Sequence, residues 1–249
     1  LNDEAKGRLI LALDVGGDIG DALTWVERLK DHVGMFKIGK EAFTSFGPDI
    51  VRRVEERGGR VFLDLKFHDI PNTVARASEA ATKLGVSMFN VHALGGRKMM
   101  EEAVRSAEEA ARRFDVPVPA VLAVTVLTSL GDEDVADMGF SASSARELAL
   151  RLAGLAKESG VSGVVASARE VEAIREIGGE DFIIVTPGIR LEREVAGDDQ
   201  KRILTPDEAV RGGADFLVVG RPITAAEDPV AAADEIVRAI ERGLAARRG

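Results

Sequence analysis

Leu9–Lys40 reads LILALDVGGDIGDALTWVERLKDHVGMFKIGK, and its pattern recurs along the whole chain. LILALDV (Leu9–Val15) and MFKIGK (Met35–Lys40) are short apolar runs bounded by glycine and charge, the mark of buried parallel strands. Between them, Asp18–His32 carries apolar residues at helical spacing, with Asp18 placed to cap the helix. Six further runs follow at similar intervals: RVFLDLKF (Arg60–Phe67), MFNVHA (Met88–Ala93), AVLAVTVL (Ala120–Leu127), GVVASA (Gly163–Ala168), FIIVTPGI (Phe182–Ile189) and FLVVGR (Phe216–Arg221). Helical patterns separate them. Ser143–Ser159 repeats Leu and Ala, and Asp228–Ala246 is an Ala-rich amphipathic segment. Thr205–Pro206–Asp207–Glu208 sets a capping residue before proline and two acids, a helix start. Eight strand-then-helix units predict an α/β fold, a single-domain (β/α)8 TIM barrel over residues 1–249, and their regularity favours it over a doubly wound open sheet. No Pro/Ser-rich linker or close repeat interrupts it. The longest irregular segment, Gly188 to about Leu204, is too charged for a core; it is expected to be a lid or a surface excursion, with Pro187–Gly188 as the turn at its base.

Composition narrows the function. Hydrophobic residues make up 45% and charged residues 30%, as in a globular protein with a real core. Ten Phe, one Trp and no Tyr leave little for base stacking, and a net charge of −9 argues against a broad nucleic-acid surface while allowing a small phosphate pocket. With no cysteine, disulfides, thiolate catalysis and zinc–cysteine sites are excluded. The opening LNDEAKGR lacks a signal-peptide apolar core, and no run of about 20 apolar residues occurs, so a cytoplasmic protein is expected.

In a barrel of this kind chemistry sits at the C-terminal ends of the strands. Asp14 closes the first run, Lys37 lies in the second, and the third holds Asp64 and Lys66, with Asp69 just beyond. Alternation along a strand puts Asp64 and Lys66 on one face. Charges among Val61, Phe62, Leu63 and Leu65 need partners. Two ammonium groups and three carboxylates suit an alternating network that keeps one proton ready beside a fixed negative charge. At the far end, Gly220 allows close backbone approach and Arg221 offers a charged fork to phosphate oxygens. The three histidines give no metal-ligand spacing. His68 and His92 read as structural hydrogen-bonding residues, and His32 as a cation ending a helix.

The run DLKFHDIPNT (Asp64–Thr73) closely resembles the signature of bacterial-type orotidine 5′-monophosphate decarboxylases: Asp–x–Lys–x–x–Asp on the third strand, completed by a lysine on the second. LALD, FKIG, VTVLTS, TPGIR, DQKR and VGRPI carry the resemblance nearly end to end. It implies a cofactor-free, metal-free enzyme of de novo pyrimidine biosynthesis that converts orotidine 5′-monophosphate to uridine 5′-monophosphate and carbon dioxide. By the same resemblance Lys66 would protonate carbon 6, Asp64 would lie against the departing carboxylate, and Lys37 and Asp69 would complete the network. Asp14 and Lys37 would contact the ribose and Thr128 the pyrimidine, while Arg190, Gln200, Gly220 and Arg221 would hold the phosphate. The resemblance further implies a homodimer in which Asp69 and Thr73 reach the neighbouring active site, with no nucleic-acid or membrane partner. Two alternatives stand beside it: a metal-dependent phosphate-sugar lyase such as 3-keto-gulonate 6-phosphate decarboxylase, and a non-catalytic nucleotide-binding barrel. The first has a metal-holding glutamate on strand two, where this chain reads Phe36–Lys37–Ile38–Gly39.

Overall fold

A computed structural model describes residues 2–189 and 204–248. Its strands are β1 (Leu9–Ala12), β2 (Met35–Gly39), β3 (Val61–Phe67), β4 (Met88–His92), β5 (Ala120–Val124), β6 (Gly163–Val165), β7 (Ile183–Pro187) and β8 (Phe216–Val219). They follow one another in sequence order around a closed parallel barrel. All eight expected strands are present, each shorter than its apolar run. The excess lies mostly at the C-terminal ends, where Leu13, Ala93, Ala166 and Ile189 are buried outside any strand.

Contacts within the chain divide it into two compact units: the described residues of Leu1–Leu65 with Pro187–Gly249, and Lys66–Thr186. In the first unit β1 lies between β2 and β8, with Ile10 opposite both Met35 and Val218. The β2–β3 register then pairs Lys37 with Phe62 and Gly39 with Asp64. Leu9, Ile10, Leu11, Met35, Phe36, Ile38, Val61, Phe62 and Leu63 are buried almost completely, as strands covered on both faces require. Helix Ile19–Leu29 starts as expected: Asp18 accepts from the Asp21 N–H and Asp21 accepts from the Asp18 N–H, each at 3.0 Å. It ends at Leu29, short of His32. The His32 ring instead lies past the helix, with Nδ1 2.7 Å from Asp234 Oδ1 on helix Pro229–Arg248. Thr205 caps helix Pro206–Arg211 in a reciprocal box with Glu208, and Pro206 takes the first helical position.

In the second unit β4, β5, β6 and β7 pair in order, with Leu122 opposite both Asn90 and Gly163, and Gly163 opposite Ile183. Helices Pro71–Lys83 and Arg97–Phe114 pack together, and Ser106 Oγ–H donates to the Ala75 carbonyl at 2.6 Å across their contact. Helix Ala145–Glu158 is capped by Ser144, which accepts from the Glu147 N–H.

Candidate active site

Lys37 sits inside β2 between the buried side chains of Phe36 and Ile38, and is itself only 8% exposed. An ammonium withdrawn from water needs negative partners. It has two: Asp14 Oδ2 at 3.0 Å and Asp64 Oδ2 at 3.3 Å. Asp14 lies two residues past β1, but the ladder does not stop at Ala12. The Leu13 N–H still donates to the Lys37 carbonyl at 2.9 Å, carrying Asp14 to the level of the lysine tip. Asp64 arrives on β3 by its pairing with Gly39. Three strands thus gather one positive and two negative groups.

Gly39 leaves room for that approach, a role that its residue type alone does not reveal. A Cβ at this position would stand 2.7 Å from Asp14 Oδ1 and 3.0 Å from Lys37 Nζ. Its backbone is ordinary, φ −87° and ψ −176°, so the demand here is for space.

Lys66 departs from expectation. It lies within β3, yet its φ is +54°. Strand alternation therefore stops at this residue and does not by itself place the lysine on the Asp64 face. A left-handed backbone costs a residue with a Cβ roughly 1–2 kcal/mol. The Lys66 N–H donates to Asn90 Oδ1 at 2.8 Å, and Asn90 on β4 is 0% exposed. In the sequence, Asn90 shows itself as a carboxamide in the apolar run MFNVHA. His68 and His92 stack with ring centroids 5.4 Å apart.

The remaining predicted residues lie nearer the surface. Asp69 is exposed and accepts from the Ile70 N–H at 2.6 Å. Thr73 is exposed in the first turn of helix Pro71–Lys83. Thr128 is exposed in a turn beyond β5. Gly220 follows β8 and Arg221 opens the short helix Arg221–Thr224, where it is exposed. Arg190 and Gln200, expected at the phosphate, lie outside the described residues, as does most of the expected lid; Gly188 at its base has φ +77°.

A closed parallel α/β barrel with charged groups gathered where its strands end defines a barrel enzyme equipped for acid–base chemistry. Residues 7–236 match the model of the orotidine 5′-phosphate decarboxylase / HUMPS family, and the chain belongs to that family. An orotidine 5′-phosphate decarboxylase of Syntrophus aciditrophicus is 62% identical over 246 residues, covering 99% of this chain and 98% of that protein. Another, of Syntrophotalea carbinolica, is 54% identical over 97% of this chain and 98% of its own length. Among solved structures, orotidine 5′-phosphate decarboxylase from Lactobacillus acidophilus superposes with a TM-score of 0.79 at 38% identity, covering 93% of this chain and 98% of that one.

Proposed function

We infer that this chain decarboxylates orotidine 5′-phosphate, giving uridine 5′-phosphate and carbon dioxide. The observation that carries the reading is the Asp14–Lys37–Asp64 cluster, with Lys66 following Asp64 by two residues and Asp69 following by five. Extended identity to relatives of that name supports it.

The chemistry requires the bond between carbon 6 and the carboxylate to break with its electron pair left on carbon 6. Carbon dioxide departs, the Lys66 ammonium gives its proton to carbon 6, and the neutral amine recovers a proton from water. Asp64 lies against the departing carboxylate and Lys37 fixes Asp64 by its ion pair. Asp69, supplied by the second subunit of a homodimer, completes the alternating charges. Asp14 and Lys37 bind ribose hydroxyls, joined by Thr73 of the neighbouring subunit, and Thr128 meets the pyrimidine. Arg190, Gln200, Gly220 and Arg221 hold the phosphate, whose binding energy helps assemble the reactive arrangement. The chain acts as one catalytic domain over residues 1–249, without metal or cofactor and in the cytoplasm. No described helix is long and apolar enough to cross a membrane.

Against the metal-dependent lyase reading stands the Lys37 ammonium, 3.0 and 3.3 Å from the Asp14 and Asp64 carboxylates, where its charge would repel a divalent ion. The deciding assay follows loss of orotidine 5′-phosphate absorbance with and without exhaustive EDTA. Unchanged turnover is expected, and Lys66→Ala should lose many powers of ten. Activity that vanishes with EDTA and returns with magnesium would establish the lyase, and nucleotide binding without turnover would establish a binding barrel. A Lys66→Ala variant keeping more than about a tenth of turnover, a barrier change of roughly 1.4 kcal/mol, would remove Lys66 as proton donor.

A further inference from the structure

Among the described residues, two that are not glycine have positive φ: Asp115 at 53° and Lys66 at 54°. Asp115 is accounted for by its position. It follows helix Arg97–Phe114, where a left-handed residue commonly turns the chain out of a helix, and Asp tolerates that conformation. Lys66 stands inside a strand, one residue from its end, and has no short polar side chain to bond its own backbone. Its conformation has to be held by something else.

The Lys66 N–H is a partly buried backbone donor, and such a donor needs an acceptor. Asn90 Oδ1 provides one at 2.8 Å. Asn90 is wholly buried at the middle of β4, between Phe89 and Val91, and its own backbone is fixed by pairing with Leu122 of β5. Its neighbours in the strand, Met88, Phe89 and Val91, are apolar and buried. A buried carboxamide is costly unless its polar atoms are used, so packing alone does not account for an asparagine here.

We propose that Asn90 is a positioning residue for Lys66: it holds the left-handed turn and thereby sets the direction in which the lysine side chain leaves β3. The proposal deepens the decarboxylase reading and rests on Lys66 as proton donor. A lysine is a flexible stem with a proton at its tip. Proton transfer needs that tip within hydrogen-bond reach of the acceptor atom. Fixing the root of the stem narrows the search, and displacements of about 1 Å can cost on the order of 100-fold in rate.

The first test needs no variant. In the intact wild-type protein the Lys66 amide should exchange with deuterium slowly, and exchange as fast as that of an open turn would overturn the proposal. Asn90→Ala should speed this exchange and lower kcat about 100-fold. Affinity for uridine 5′-phosphate should stay within about threefold, a difference under about 0.7 kcal/mol. Asn90→Asp, which keeps an acceptor in the same place, should recover at least about tenfold of the lost turnover. If Asn90→Ala does not fold, Asn90→Asp against Asn90→Leu makes the same comparison, because both side chains branch alike and only one has an acceptor. Near-normal kcat in the variants lacking an acceptor, equal losses of kcat and nucleotide affinity, or no advantage for Asp would each refute a positioning role. Lys66→Ala, assayed in parallel, separates the two claims: if it stays active the proton-donor reading has failed, whereas an inactive Lys66→Ala beside a fully active Asn90→Ala condemns only the role of Asn90.

Discussion

Glu170 and Lys37 are both largely withdrawn from water, 9% and 8% exposed, and they are compensated differently. Lys37 has two carboxylates within ion-pair distance. Glu170, in the short turn Ala168–Glu170 after β6, has its carboxyl pushed above the usual range by burial, partly countered by hydrogen bonds from Ser167 and the charges of Arg169 and Arg146. A carboxyl whose folded pKa is raised favours folding while protonated, below its unfolded value near 4.5, and that advantage is lost as pH rises through the folded value. Glu170→Gln should therefore melt higher than wild type at pH 7–8, with the difference shrinking toward pH 4. A melting series in which the gap stays constant with pH would show that the glutamate's ionisation is not what burial opposes. Residues of this kind divide by how much the sequence reveals. Lys37, Asp64 and Lys66 were legible because charge inside an apolar run demands a partner. Asn90 and Gly39 were not singled out, because one acts through a backbone turn and the other through the space it leaves empty.

Among the helices, the starts at Asp18 and Thr205 are legible in the sequence because the capping chemistry is local. Strand ends were overrun because an apolar run reports burial, whereas a strand is defined by its ladder. Ala166 is 1% exposed and Ile189 3%, yet both lie outside strands. The left-handed Lys66 was invisible for a related reason: its cause, Asn90, stands 24 residues away. The β6–β7 contact carries a constraint of its own. A Cβ on Gly163 would stand 2.0 Å from the Ile183 carbonyl oxygen, a backbone atom with no rotamer to adopt. Gly163→Ala should force the strands apart and destabilise by at least the roughly 1–3 kcal/mol typical of overpacking, lowering the melting temperature by several degrees. Melting within 1 °C or so of wild type would mean that the strands separate at little cost, since roughly 1 kcal/mol corresponds to about 2–4 °C in a chain of this size.

For the whole molecule, the proposed homodimer makes the sharpest claim. Asp69 and Thr73 are exposed on the single chain, beside Ile70 at 66% exposure, a large apolar side chain facing water. If Asp69 serves the neighbouring pocket, Lys66→Ala and Asp69→Ala homodimers are both nearly inactive, yet a mixed dimer has one pocket with neither lesion. Refolding the two together should restore roughly a quarter of wild-type activity, since random pairing makes about half the dimers mixed and each mixed dimer has one sound pocket of two. No recovery, with subunit exchange confirmed, would assign Asp69 to its own chain.

Gly39 has a further consequence for how this protein can change over generations. Its backbone is ordinary, and the nearest atoms that a side chain here would meet belong to Asp14 and Lys37. No amino acid is smaller, and every mutation of this codon that changes the residue adds atoms against the charged pair. Diversification here is therefore coupled: a side chain at 39 is admitted only as Asp14 Oδ1 and Lys37 Nζ, both side-chain tips, move from their present places. A lineage exploring new substrates through this corner would have to surrender part of the old activity first, and a saturation library made at position 39 alone should yield glycine as its sole fully active member.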